Sequence, residues 1–398
     1  MVTNAVTTFK YLYEKTSQAF SDIREIALSP ENKKIPREWG ISETAEMVGR
    51  TAQTLRNIED SGKLPKARVV KKGKREERVY NLKEINLLRE YFKTRPSKPK
   101  GCQPAIIGFA NFKGGVTKTT TTVNVGQPFA MKGYRVLAID GDSQASLTQM
   151  FGHIPDEHID EKETLLDILT GESNDIRRII KKTHWDGLDI IPANLGLYNT
   201  ELILPTQITK YATETGKVLP FHNRLNESLK AVYDDYDLIL IDCPPSMGMV
   251  SINAVWAANA LVITMPPSMV DFASTKQFFK MLMEIMERLP SKVYAFTRIL
   301  LTKFSDRRVA KDINETLKTY IGSYLMSSQM VASEAISKAG AEMKTLYEVD
   351  KFIGSKSTYT RALQYADLVN KELESLIKTM WEKSVAISTR ENAINEGS

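Results

Sequence analysis

The sequence predicts a doubly wound α/β domain on a mostly parallel sheet, preceded by a small helix-turn-helix block and an N-terminal helix. Three observations predict it. Short apolar runs of strand composition, Ala105 to Phe109, Arg135 to Asp140, Tyr236 to Ile241, Leu261 to Met265 and Phe296 to Thr302, alternate with stretches of helical period, the pattern of parallel strands joined by right-handed crossovers. The first run opens through a glycine-containing loop into a helix-like stretch, and two later runs end in aspartates, Asp140 and Asp242. Upstream, a short-helix, glycine, short-helix pattern adjoins a block of concentrated positive charge.

At 398 residues the chain exceeds what one hydrophobic core normally supports, so two domains are expected. Hydrophobic and charged fractions of 42% and 26% are those of a globular protein, and the longest apolar window, Ala254 to Met265, is too short to cross a bilayer. Cys102 and Cys243 cannot build a disulfide framework, and MVTNAVTTFK does not read as a secretory signal, so a cytoplasmic protein is expected. The net charge of +6 is unevenly placed. Gly62 to Lys100 holds 14 lysines and arginines against 4 acids, which leaves the rest of the chain at −4: a basic module on a mildly acidic body.

In chain order, Asn4 to Leu28 places Phe9, Tyr13, Phe20, Ile23 and Ile26 at near-helical spacing before Pro30, which predicts an amphipathic helix within residues 1–35. It can pack on its own domain or pair with a second copy. From Ile41, Ser42 is placed to cap a helix running through Val48, Gly49 makes the turn, and Thr51 to Ser61 forms the second helix. Ala45, Leu55 and Ile58 are its expected core contacts, leaving Arg50, Gln53, Thr54, Arg56 and Asn57 on the exposed face to reach DNA bases or phosphates. Lys63 to Arg78, with Lys71, Lys72 and Lys74 around Gly73, reads as a basic wing, and Leu82 to Phe92 returns to helical period. The block, residues 36–98, resembles a MerR-type winged helix. Pro96, Pro99 and Pro104 with the intervening lysines read as a connector, 99–104, crossed by few contacts, with the larger domain at 105–398.

The loop Ala110 to Val125, ANFKGGVTKTTTTVNV, reads as a phosphate cradle. Gly114 and Gly115 let the backbone approach an anion, Lys118 supplies a point charge and the Thr119 hydroxyl can complete a magnesium shell, so Lys113, Gly114, Gly115, Val116, Thr117, Lys118, Thr119 and Thr120 form the expected nucleotide-contacting run. The run departs from G-x-x-x-x-G-K-[ST]: Phe112 stands where the first glycine belongs and Thr117 where the last one does. With its second lysine, Lys113, the K-G-G-x-x-K-T run resembles the deviant Walker A motif of the ParA/MinD ATPases. That resemblance implies ATP or ADP with Mg²⁺, and a homodimer in which Lys113 reaches the nucleotide of the other subunit.

Because parallel strands place their C-terminal ends on one edge, Asp140, Asp142 and Asp242 should face the cradle. In ParA-like proteins the D-x-D-x-Q run, here Asp140 to Gln144, is the Walker A′ element; the likeness implies that Asp142 orients the attacking water and Asp140 supports the magnesium site. Asp242 has the position of a Walker B carboxylate, and the catalytic set is Lys113, Lys118 and Asp142. The SMVDF segment resembles a family stretch near the nucleotide, with Asp271 as its acid. Cys243 reads as a packing residue. After Phe296 to Thr302, Lys303 to Arg308 is expected to open a helix with Val309, Ile313 and Leu317 inward and Arg307, Arg308 and Lys311 outward; the family assigns this region to sequence-independent DNA binding, joined by Lys338 and Lys344. The closing helix, Tyr359 to Trp381, carries no basic amphipathic tip for a membrane.

Together the motifs, spanning about Ala105 to Leu376, resemble the larger plasmid-partition ParA proteins that also repress their own operon. The likeness implies an operator-binding winged helix, an ATP-bound dimer that coats nucleoid DNA, and a ParB-type partner that stimulates turnover. A nucleotide-sensing repressor without a partition role would lack the water-positioning Asp142, a MinD-like positioning ATPase would carry a lipid-binding tail, and a nitrogenase iron protein would need cluster-ligating cysteines.

Overall fold

The computed structural model describes residues 5–27, 34, 36–72, 75–349 and 355–396, in two units that divide after Pro36. The first unit holds helix α1 (Ala5–Ala27), along which Val6, Phe9, Tyr11, Leu12 and Tyr13 are exposed. The side chains of Phe20, Ile23 and Ile26, and Pro30, lie outside the described residues.

The second unit begins with β1 (Glu38–Gly40), α2 (Ile41–Val48), α3 (Ala52–Asp60), β2 (Arg68–Lys72), β3 (Arg75–Asn81) and α4 (Leu82–Phe92). Its three strands pair antiparallel in the order β1-β3-β2, with β2 and β3 forming the wing; Gly73 and Lys74 at its tip lie outside the described residues. The helix-turn-helix forms by local chemistry. Gly49 takes the left-handed conformation (φ 70°) that ends α2, Thr51 caps α3 by accepting the Thr54 amide at 3.2 Å, and an Asn81–Glu84 capping box starts α4. Gly40, not Ser42, is the N-cap of α2: the edge of β1 delivers the chain straight into the helix, so Ser42 lies inside it.

The larger part carries a seven-stranded sheet of β4 (Ala105–Ala110), β5 (Val136–Asp140), β6 (Lys181–Lys182), β7 (Leu188–Ile191), β8 (Leu238–Asp242), β9 (Ala260–Met265) and β10 (Phe296–Leu301), ordered β10-β9-β4-β8-β5-β7-β6. All pairings are parallel except the β6–β7 edge. Successive residues of a strand alternate between two cores. Ile107 and Phe109 pack on one face, Ile106 and Ala110 on the other. The longer helices are α5 (Lys118–Lys132), α6 (Thr200–Thr215), α7 (Met249–Ala257), α8 (Met269–Met286), α9 (Arg308–Ile321), α10 (Glu334–Ala341) and α11 (Lys356–Glu396). On α9 Ile313 and Leu317 face inward as expected, but the first inward residue is Ala310, three positions before Ile313, and Val309 in the first turn is exposed. Helix α11 continues well past Trp381.

The connector does not separate two independent bodies. One hydrophobic core contains Leu55, Ile85 and Leu88 of the winged helix together with Phe129, Tyr134 and Trp381 of the sheet domain. Across the same junction, Arg89 donates to the Met131 carbonyl (2.7 Å), Arg95 to the Gly133 carbonyl (2.9 Å) and Asn86 to Asp186 (2.8 Å), while Trp39 and Trp185 pack with ring centroids 6.4 Å apart. The expected boundary of few contacts at 99–104 is thus corrected: Arg37–Ser398 is one compact unit. Among the described residues no helix is long and apolar enough to cross a membrane.

Candidate active site

The loop between β4 and α5 is anchored from both sides. Asn111, buried, donates to the Thr264 carbonyl (2.9 Å) and to Thr275 (3.2 Å) and accepts the Lys113 amide (3.1 Å), tying the loop to β9 and α8. Phe112 packs its ring against Phe278, with centroids 6.0 Å apart, which accounts for an aromatic residue at a position where the usual motif has glycine: it is the loop's apolar anchor on α8. Gly115 (φ 73°) and Thr117 (φ 69°) both adopt the left-handed conformation, and α5 starts at Lys118. Lys118 is 7% exposed, and its ammonium donates to the Lys113 carbonyl at 3.1 Å, so it lies curled over the loop. Burial lowers its pKa, against the attraction of Asp242 and Asp142.

Lys113 turns elsewhere. Its ammonium forms an ion pair with Asp271, whose amide donates to the N-cap hydroxyl of Ser268 at the start of α8 (3.2 Å). No local pattern pairs two residues 158 positions apart, so the sequence identified both but not their contact.

The strand-end carboxylates differ in their surroundings. Asp140 is fully buried, and its oxygens accept the Thr148 amide (2.8 Å), the Thr148 hydroxyl (2.7 Å) and the Asp142 amide (3.2 Å). Burial nonetheless pushes its pKa up to about 7, with those hydrogen bonds opposing. Gly141 must be glycine, since a Cβ there would stand 2.8 Å from the Asp242 carbonyl oxygen. Asp242 is 1% exposed, and neither of its carboxylate oxygens has a hydrogen-bond partner. Burial and the adjacent Asp140 hold its pKa well above the usual carboxylate range, while the Thr119 hydroxyl and the Lys118 ammonium pull it down. Asp142 is half-buried and accepts the Gln144 amide at 3.0 Å. Cys243 is buried, and burial pushes its thiol up to about 12, so it stays protonated packing material.

These elements open on a cavity of about 930 Å³. Gly114, Gly115, Thr117, Lys118, Thr119, Thr120 and Asp142 line one side, and the chain from Met330 through α10 to Leu346 lines the other. Val116 is buried behind the loop, and Lys113 lies outside the lining. Two further lining residues differ from expectation. Lys344 faces this cavity and approaches Glu342 (3.3 Å) instead of standing on an outer basic face, and Lys303, read as part of a helix start, donates to the Gly115 carbonyl at 2.8 Å. Of the three strand-end carboxylates only Asp142 lines the cavity; Asp140 and Asp242 lie buried outside the lining. The unpaired Asp242 carboxylate, close to the Thr119 hydroxyl, is a donor set of the kind magnesium takes from a protein, the remainder coming from phosphate and water.

On the winged helix, Gln53 and Asn57 are exposed and hydrogen-bonded to each other (2.8 Å), Arg56 approaches Gln53 (3.4 Å), and Thr54 is engaged with the Thr51 cap. Arg50 folds back, its guanidinium 5.0 Å over the Phe92 ring. Lys71 is exposed, whereas the Lys72 side chain and Lys74 lie outside the described residues. Arg307, Arg308 and Lys311 are exposed on α9 and the turn before it, with Arg308 beside Asp312 (3.6 Å) and Lys311 beside Asp306 (3.8 Å).

Residues 104–294, which hold the cradle and all three carboxylates, match a family described as an AAA domain. Over 362 residues, 89% of this chain and 92% of the relative, the sequence is 35% identical to Protein SopA of Escherichia coli strain K12. The chain belongs to the ParA family of plasmid-partition ATPases. A solved structure described as a partition protein superposes on this ParA-type chain with a TM-score of 0.64 at 19% identity, covering 91% of this chain and 99% of the other. The ATP complex of a Cyanothece McdA variant does so with a TM-score of 0.56 at 20% identity, covering 69% and 98%. Both share the fold of the ParA-type chain, so the α/β expectation of a mostly parallel sheet with a cradle at its first strand-to-helix loop is borne out.

Proposed function

We propose that this ParA-type ATPase binds ATP with magnesium in the cavity beside α5, and that the cradle and strand-end carboxylates divide the chemistry among them. The observation that carries the reading is Asp242, a closed-off carboxylate with both oxygens unpaired next to Lys118 and Thr119. Thr119 and Asp242 would hold the metal, which would supply charge neutralisation to the transferring phosphoryl group. Lys118 releases the Lys113 carbonyl and places its charge on the transferring phosphoryl group; the amides at the start of α5 stabilise the same developing charge. Asp142, on the cavity wall, orients the attacking water in line, and Asp140 keeps the turn that carries Asp142 in place.

The same reading extends to assembly. Lys113 exchanges Asp271 for a phosphate oxygen of the neighbouring subunit's nucleotide when two copies close on ATP. The closed dimer binds DNA non-specifically through Arg307, Arg308 and Lys311, and a ParB-type partner accelerates hydrolysis and releases it. Gln53, Thr54, Arg56 and Asn57 read operator DNA, with Arg50, Lys71, Lys72 and Lys74 on its phosphates, at a half-site spacing set by the dimer. Support comes from the 35% identity to SopA over nearly the whole chain and from the exposed α3 face.

Phosphate release, measured with and without DNA and the ParB-type partner from the same plasmid, tests this. Wild type should turn over slowly alone and faster with both additions, and Lys118→Ala should remain at background in every condition. Release by Lys118→Ala at the wild-type rate would overturn the assignment.

A further inference from the structure

Thr117 occupies a backbone conformation, φ 69° and ψ 27°, that a β-branched residue rarely adopts and that the usual phosphate-binding pattern gives to glycine. Something outside the loop has to hold it there. The end of β10 supplies two grips on adjacent peptide groups. Thr302, fully buried and fixed by its own amide to the Met265 carbonyl (3.0 Å), donates its hydroxyl to the Val116 carbonyl at 3.2 Å. Lys303, itself left-handed at φ 49°, donates its ammonium to the Gly115 carbonyl at 2.8 Å. The Thr117 hydroxyl adds an internal bond to the same Val116 carbonyl at 2.6 Å. In a trans peptide the C=O and the following N–H point to opposite sides, so pinning the Gly115 and Val116 carbonyls turns the amides of Val116 and Thr117 the other way. The next residue, Phe304, bonds its amide to the Met330 carbonyl (2.9 Å), which ties the grip to the far wall of the cavity.

We propose that Thr302 and Lys303 are positioning residues of the ATPase reaction: they clamp the Gly115–Thr117 turn in the conformation that glycine would otherwise provide, and so aim the loop amides at the phosphates. The clamp stands in for the missing glycine. It rests on the reading of this cradle as the nucleotide site. Because it acts on the loop and not on the nucleotide, its importance depends on which residue occupies position 117. A direct phosphate ligand at position 303 would carry no such dependence.

The test is a pair of double-mutant cycles on the full chain. Lys303→Met and Thr302→Val are each made in the native and in the Thr117→Gly background, and kcat and KM for ATP are measured by phosphate release. In the native background each variant should lower kcat about tenfold with KM changed less than about threefold, as expected when reacting groups are misplaced by a fraction of an ångström. In the Thr117→Gly background the same changes should cost less than about twofold; in the native background Thr302→Ser, which keeps the hydroxyl, should retain most of the wild-type rate. Equal losses in both backgrounds, or a rise in KM with kcat unchanged, would overturn the clamp. Lys303 is exposed, so Lys303→Met carries the test alone if Thr302→Val does not fold, as judged by its thermal transition. Lys118→Ala run in parallel separates the two levels: full activity there removes the nucleotide-site reading itself, whereas an inactive Lys118→Ala beside additive cycles removes only the clamp.

Discussion

Asp140 and Asp242 lie opposite one another in the β5–β8 pairing, both end a buried parallel strand, and both are closed to solvent. Their partners differ completely. Asp140 holds three hydrogen bonds from Thr148 and Asp142, whereas Asp242 holds none on its carboxylate. A buried polar group without a partner costs free energy, so a fold that leaves one bare beside a nearly buried lysine is arranged for something that arrives later. On the proposed function, the contrast separates a carboxylate that builds the site from one that would take the metal.

Replacing each carboxylate sharpens the contrast. Asp242→Asn should lower kcat for phosphate release by about a hundredfold or more, since on the proposed function it removes a metal ligand. Its thermal midpoint without nucleotide should stay level or rise, because an unpaired buried carboxylate is gone. Asp142→Ala should lower kcat by a similar or somewhat smaller factor while leaving ATP-dependent dimers intact on gel filtration; a wholly monomeric variant would contradict its role. Asp140→Ala should behave in the opposite way to Asp242→Asn, costing about 1–3 kcal/mol of stability in denaturant unfolding as the Thr148 donors lose their acceptor. If Asp140→Ala were neutral and Asp242→Asn strongly destabilising, the division of roles would be reversed.

The smallest expected effect is in pH. Asp140 holds its proton up to about pH 7 in the folded chain and only to its ordinary 3.8 in the unfolded chain. Between those values the native state binds more protons than the unfolded state, so the stability of the metal-free protein should fall as pH rises from 3.8 to about 7. Asp242 contributes in the same direction, and Asp140→Asn should flatten part of the slope. A metal-free unfolding curve that is flat across this window for the wild type would break the electrostatic side of the comparison.

Local signals made much of this site legible. The apolar runs and their terminal aspartates place β4, β5, β8, β9 and β10 within two residues, because a strand buried on both faces leaves a continuous apolar record. Thr51 and Gly49 announce the helix-turn-helix for the same reason: caps and turns are short-range chemistry. What escaped is long-range or weakly patterned. The two-residue β6 and the four-residue β7 are too short to show a period, and Phe112 looks like a broken motif until Phe278 is beside it. In the sequence Lys303 reads as a helix start, yet it sits just past a strand with its charge on a loop nearly 190 positions earlier. The prolines read as an open connector, but Arg89 and Arg95 bond the end of α5 and the turn beyond it, and Asn86 bonds Asp186 ahead of β7; proline content does not report such contacts.

The most direct measurement is single-turnover phosphate release from ATP by wild type, Asp242→Asn and Asp140→Asn over a magnesium titration. Asp242→Asn should lose most of its rate and require much higher magnesium for half-saturation, while Asp140→Asn should keep the wild-type magnesium midpoint. An unchanged midpoint and rate for Asp242→Asn would contradict the account that this bare carboxylate is where the metal of the ATPase is held.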